Sequence, residues 1–172
     1  MVSTKIKSLA FAIILGLASP INVFAVGSTE PSEAKLDIIS KSCDKTVKSL
    51  KDLQKSDTRT RTSIGPVYEK LQNKFIVPLN VRLVSNSFSI PELITVQAEF
   101  VASKATFYQD FTKYSQYLED LIAIDCKTSP SDFYKQLELV REKRSIVHQD
   151  VKNLNEILSD YKIKLSSLEI DL

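Results

Sequence analysis

The stretch SPSDFYKQLELVREKRSIVHQDVKNLNEILSDYKIKLSSL, residues 129–168, decides the fold. Phe133, Val140, Val147, Leu154, Tyr161 and Leu168 recur every seven residues. Leu137, Val151, Leu158 and Leu165 fill a second seam, in which Arg144 is the charged exception. A seven-residue apolar repeat places one stripe on one face of a helix and asks for a helical partner. The start is marked as well. Ser129 stands at the cap position, Pro130 follows where its missing N–H costs nothing, and Asp132 lies in the first turn near the positive end of the helix dipole.

The preceding segment carries a matching stripe. Leu93, Phe100, Phe107, Tyr114 and Leu121 share one seam, and Phe111 and Leu118 the companion, which Gln97 and Lys104 interrupt. Ser89-Ile90-Pro91-Glu92 has the form of a capping box. The Ser89 hydroxyl can accept an orphan N–H and Glu92 can reach back, with Phe88 and Leu93 as a hydrophobic staple. Further upstream the pattern weakens. Cys43, Leu50, Ile64 and Leu71 share one seam, and Ile39, Leu53 and Val67 another, but Asp57 and Thr60 break them. QKSDTRTRT, residues 54–62, has no apolar side chain. Gly65-Pro66 and Pro78 follow, and interior prolines remove a backbone hydrogen bond and bend helices. The expectation is one long bent helix over 32–84, with a break near Gly65 as the alternative, then helices over 90–124 and 130–168. Short links between helices make antiparallel neighbours. The fold class is all-α: an elongated, coiled-coil-like, up-down-up three-helix bundle with a kinked first helix.

The N-terminus reads as an export signal. Lys5 and Lys7 precede an uncharged apolar run, LAFAIILGLA, and Val23-Phe24-Ala25 offers small residues for cleavage after Ala25. The domain reading is therefore a signal peptide at 1–25, a polar leader at 26–31 and one helical domain at 32–172. An uncleaved segment would make the chain a membrane-tethered stalk, but the run is short for a span and is followed by Pro20. The chain has 23 basic and 21 acidic residues. Loss of Lys5 and Lys7 with the signal brings the two signs level. A neutral surface argues against nucleic acid, which needs clustered positive charge.

Two cysteines in an exported chain read as a disulfide. Cys43 lies 44 residues before Ser87, the centre of the first turn, and Cys126 lies 39 after it. Five residues of helix span roughly 7 Å, which bends at Pro66 and Pro78 can absorb. The pair would clamp the open end of the hairpin.

Catalytic and metal chemistry finds little to stand on. His148 is the only histidine and reads as a residue beside the core stripe. No Glu-x-x-His spacing suggests a bundle-core metal site. Ser32 to Lys35 and Ser42 to Lys45 match Ser-x-x-Lys, but the Ser-Asp-Asn and Lys-Thr-Gly elements that give it meaning are missing. Three glycines leave no phosphate-cradling loop. The aromatic stripe of the second helix reads as core rather than as a ligand groove, with Tyr108 and Tyr117 off the seam as candidate partner-surface residues. Arg144 is expected to snorkel its charge to water; a polar layer with Asp57 that fixes register is the alternative.

This layout resembles a group of uncharacterised exported two-cysteine three-helix proteins of reduced-genome candidate-phyla bacteria. The residues that carry the resemblance are Cys43, the turn from Ser89 to Leu93, Cys126 followed by Ser131-Asp132-Phe133, Val140-Arg141, and Val147 to Asp150, over residues 36–168. Gly65-Pro66 and Pro78 depart from the uninterrupted first helix of that pattern. The resemblance implies architecture and export, and no activity. The functional expectation is a secreted or extracytoplasmic, non-enzymatic helical scaffold or binding module of the cell envelope or exterior. It would use no cofactor and no evident small-molecule substrate, and it would bind an unknown protein partner or a second copy of itself. A periplasm-type holdase chaperone is the alternative; export and helical arms favour it, and neutral charge and the lack of a β-rich oligomerisation segment count against it.

Overall fold

Three helical arms make up this computed structural model, which describes residues 30–168, and none of those residues lies in a strand. The expected signal segment 1–25, residues 26–29 of the expected leader, and residues 169–172 lie outside the described residues. The first arm comprises α1 (Glu33–Lys70), a π-helical turn (Leu71–Ile76) and α2 (Val77–Ser85). The second is α3 (Pro91–Ala123) and the third α4 (Pro130–Ser166). At 1.5 Å per residue, α3 and α4 are about 50 and 55 Å long.

The first arm does not break at Gly65-Pro66; α1 runs through both residues. Gly65 serves a close approach instead. A Cβ there would lie 3.3 Å from the Tyr108 hydroxyl oxygen, and that hydroxyl donates to the Gly65 carbonyl at 3.2 Å. The irregularity falls later, and Pro78 accounts for it. Proline has no N–H, and its ring presses on the carbonyl four residues back, which here belongs to Lys74. The chain widens by one residue just before it, so that the Val77 N–H bonds to the Gln72 carbonyl, five positions earlier.

The first connection is a Schellman turn. The Phe88 N–H bonds to the Leu83 carbonyl at 3.0 Å and the Ser87 N–H to the Val84 carbonyl at 3.0 Å. Ser87 takes the left-handed position, φ 65°, which favours glycine. In the second connection an Asp125 carboxylate oxygen accepts the Lys127 N–H at 2.9 Å, and the Asp125 carbonyl accepts the Ser129 N–H at 2.8 Å.

The helix starts differ from the expected caps. α3 is capped in position by Ile90 rather than Ser89, and neither Ile90 nor Ser129 supports a side-chain cap bond. The backbone explains this. Capping needs an extended residue, whereas Ile90 and Ser129 have ψ of 44° and 57°. Glu92 therefore does not close a capping box; its carboxylate accepts from Lys164 on α4 at 3.1 Å.

The apolar residues form two clusters. One gathers Cys43, Leu50, Phe111, Tyr114, Leu118, Leu121, Cys126, Phe133 and Val140. The other gathers Tyr68, Ile76, Ile90, Leu93, Val96, Phe100, Phe107, Leu154 and Tyr161. Val147 packs against both. The α3 seam is buried as read, but Val67 is exposed and Tyr68 is buried in its place. A helix of 3.6 residues per turn drifts about 20° per heptad, so over the heptads after Cys43 the inward position moves on by nearly one residue.

Contacts from the first arm meet α3 in descending order. Cys43 is disulfide-bonded to Cys126 with Cα atoms 5.5 Å apart. Asp57 meets Tyr114, Glu69 meets Lys104, and Asn80 meets Gln97. Between α3 and α4, Tyr117 meets Gln136, Ser103 meets Asn153 and Glu92 meets Lys164.

Two stability predictions follow from the connections. Under oxidising conditions Cys43→Ser should lose about 2–4 kcal/mol, set against a chain-entropy value of about 4.5 for a loop this long. The mutant and the wild type should then melt together in reductant; a mutant that melts like the wild type in both conditions would contradict the clamp. Ser87→Gly should raise stability by about 1 kcal/mol by removing the left-handed penalty, measured as a shift in the urea midpoint at constant slope.

Candidate functional site

The polar run of α1 leaves that arm with no apolar side chain between Leu53 and Ile64. Within that run Thr60, Thr62 and Ser63 bond back to carbonyls three or four residues earlier, a pattern that a helix accommodates with slight destabilisation and bending. Facing it are Phe107, Phe111 and Tyr114 of α3 and Val147 and Val151 of α4, placed by the seven-residue stripes. Aromatic side chains opposite threonines and arginines cannot interdigitate fully. A cavity of about 160 Å³ opens at this level, between the two apolar clusters.

Asp57 ties the three arms together beside that cavity. The Tyr114 hydroxyl donates to its carboxylate at 2.7 Å, and Arg144 donates through Nε at 3.0 Å and Nη2 at 3.3 Å. Arg144 therefore does more than snorkel: its side chain stays 40% accessible, yet its guanidinium grips Asp57, which is only 18% accessible. Burial alone would raise the Asp57 pKa, but hydrogen bonds from Arg144 and Tyr114 and the nearby positive charge outweigh it and hold the carboxyl below its ordinary range. The same contact, added to burial, pushes the Tyr114 hydroxyl well above the usual phenol range.

Two further polar layers lie nearer the Ser87 turn. Lys104, buried on α3, donates to Glu69 at 2.6 Å, and that bond holds Glu69 below the usual carboxylate range. Asn80 is 4% exposed and fully engaged: it donates to Gln97 at 2.8 Å and accepts from the Tyr161 hydroxyl at 2.7 Å. Gln97 and Lys104 were visible as interruptions of an apolar seam. A buried amide or ammonium requires a partner on the facing helix, and that requirement is the signal that could have led to Asn80 and Glu69, which the seam reading did not single out.

The aromatic residues set apart by the sequence are already occupied. Tyr108 is half-buried, its hydroxyl on Gly65 and its ring 5.4 Å below the Arg61 guanidinium. Tyr117 is half-buried against the disulfide-end cluster, with the Lys143 ammonium 5.8 Å from its ring. His148 is exposed and borders the cavity that Asp57 and Arg144 border. Among the described residues no group of three or more His, Cys, Asp and Glu side chains is arranged to hold a metal ion, and no helix is long and apolar enough to cross a membrane.

Asp150 behaves oppositely to Asp57. One of its carboxylate oxygens is buried without a partner, and burial together with the Asp110 charge raises its pKa, with Lys113 offsetting part. A carboxyl lowered in the folded state stabilises above its unfolded value, about 3.9, and that stability disappears as pH falls through the folded value. A raised carboxyl contributes most in acid and loses its contribution as pH rises through the folded value. Asp57→Ala should therefore cost about 1–3 kcal/mol near neutrality by orphaning Tyr114 and Arg144, with the deficit shrinking as pH drops below about 4. Asp150→Asn should raise the neutral-pH melting temperature by a smaller amount. Melting curves over pH 3 to 8 check both, and changes of the same sign at neutral pH would contradict the assignment.

No family model, no curated protein and no solved structure matches the chain.

Proposed function

We propose that this is an exported, non-enzymatic helical scaffold or protein-binding module of the cell envelope or exterior, built as an antiparallel up-down-up three-helix bundle. The order of the cross-arm contacts supports the topology. Positions rising along the first arm, 43, 57, 69 and 80, meet positions falling from the connection after α3 back along that helix, 126, 114, 104 and 97. From α1 and α2 to α4 the positions rise together, 57 with 144 and 80 with 161. The disulfide supports an oxidising compartment, as does the signal-like start of the chain.

The observation that carries the binding reading is the outer surface of the first arm. Val67, Phe75, Val81 and Val84 are each more than half exposed there. Other exposed apolar side chains, Ile38 and Ile163 at 64% among them, are spread over the arms, but these four lie close together in the chain, and exposed apolar side chains that cluster mark contact surfaces. A partner seated on them would bury what the three arms leave open.

The test combines compartment and contact. Wild type and a Phe75→Glu/Val81→Glu double variant are expressed in the native host, cross-linked in place, and recovered from extracytoplasmic fractions. The reading expects recovered chains to begin at Val26 with the disulfide formed. It also expects one protein, or a second copy of this chain, to cross-link to the wild type and not to the variant. Retention of Met1 in a cytosolic fraction, or the same adducts for both chains, would overturn it.

A further inference from the structure

The cavity at the level of Asp57 is bounded by residues of all three arms. Its interior is apolar, formed by Ile64, Phe107, Phe111, Val147 and Val151, and its rim carries Arg61 and Arg144 with Asp57 the only carboxylate. Arg144 and Asp57 satisfy one another. Arg61 remains. Its guanidinium stacks 5.4 Å from the Tyr108 ring centre and 5.5 Å from that of Phe111. No carboxylate pairs with it among the described residues, and its Nε is buried without a hydrogen-bond partner. An arginine that lines the cavity, is held over two rings and pairs with no carboxylate is a preorganised anion receptor, because its fork is already oriented before the anion arrives.

We propose that this cavity binds a small organic carboxylate bearing a single aromatic ring, with the ring among the apolar walls and the carboxylate on Arg61. Size sets the ring count. A dry cavity of roughly 150 Å³ lined by Leu, Ile and Phe takes up benzene, and this one, at about 160 Å³, holds one ring and not two. Charge sets the head group. The two arginines against one aspartate leave an excess positive charge at the rim, which an anion neutralises and a cation does not. Phe107 and Phe111 supply ring faces and edges for an aromatic guest. The proposal stands apart from the scaffold reading: it concerns the waist between the helices and not their outer faces.

Phenylacetate is the probe, titrated into the oxidised full-length chain and followed by isothermal calorimetry and by the aromatic proton resonances. The expected result is saturable one-to-one binding with shifts confined to residues around Phe107, Phe111 and His148. Phenylacetamide, which keeps the ring and loses the charge, and Arg61→Met should each weaken it about tenfold or more, the loss of one charge-assisted hydrogen bond. Acetate, which lacks the ring, should not bind. Val151→Phe, which fills the cavity from α4 without touching Arg61, should abolish binding while Cys43–Cys126 and the melting transition persist. That variant separates loss of the site from loss of the fold. Absence of saturation up to 10-millimolar-order phenylacetate would overturn the proposal. So would equal affinity for phenylacetamide, or unchanged affinity in Arg61→Met.

Discussion

The structure turns on the Asp57 carboxylate. Between Leu53 and Ile64 the first arm offers nothing for a hydrophobic core to grip, and the apolar interior divides into two clusters on either side of that gap. What holds the arms at this level is a charge: Asp57 accepts from Tyr114 of α3 and from Arg144 of α4. Apolar burial is non-directional and tolerates sliding. A carboxylate engaged by a phenol and a guanidinium does not, because removing either partner leaves a partly buried charge unmatched. The waist receives no apolar side chain from residues 54–63 of the first arm and is held there by directional bonds.

The same logic sets the register of the whole first arm. Its three polar layers pair Asp57 with Tyr114, Glu69 with Lys104, and Asn80 with Gln97. A slip of one heptad would bring Asp57 opposite Phe107 or Leu121 and Lys104 opposite Thr62 or Ile76, leaving charges and amides without partners in apolar surroundings. Polar groups at seam positions reduce packing and fix alignment, the trade familiar from coiled coils. The disulfide adds a constraint of a different kind at the far end. It acts mainly on the unfolded chain, by removing loop-closure entropy, so it secures the hairpin without choosing among registers as finely as the polar layers do.

Much of this was legible because α3 and α4 bury strict stripes. Leu93, Phe100, Phe107, Tyr114 and Leu121 repeat every seven residues and are all nearly inaccessible, and counting from the turn brought Cys43 to Cys126. Where reading failed, the causes were local. Ser89 and Glu92 match a capping box in sequence, but the φ and ψ of Ile90 place the helix start one residue later, and backbone angles are not written in residue types. Val67 gave way to Tyr68 because a heptad count ignores the drift of a straight helix. The break near Gly65, weighed as the alternative to one long bent helix, does not occur, since Gly65 faces Tyr108 and needed only the space a missing Cβ leaves; the irregularity falls at the turn before Pro78. Arg61 was the least visible of all. In a run of threonines and charges it reads as a solvated face, and only the assembled helices reveal that its Nε is buried and unmatched.

That last failure is informative. A sequence that specifies a fold is consistent across levels, and departures from consistency concentrate where something other than stability is selected. At the waist the rules of packing are broken together. Aromatic side chains of two helices face a third helix that supplies threonine and arginine, a cavity is left unfilled, and a guanidinium N–H is left without an acceptor. A leucine at position 61 would remove the orphan donor, and apolar replacements of buried polar groups are commonly neutral or stabilising. Asp57 and Arg144 can be accounted for by register alone. Arg61 is only partly accounted for by the helices: it stacks across the arms on Tyr108 and Phe111, but it makes no ion pair there and its buried Nε is left without an acceptor, which stacking does not require.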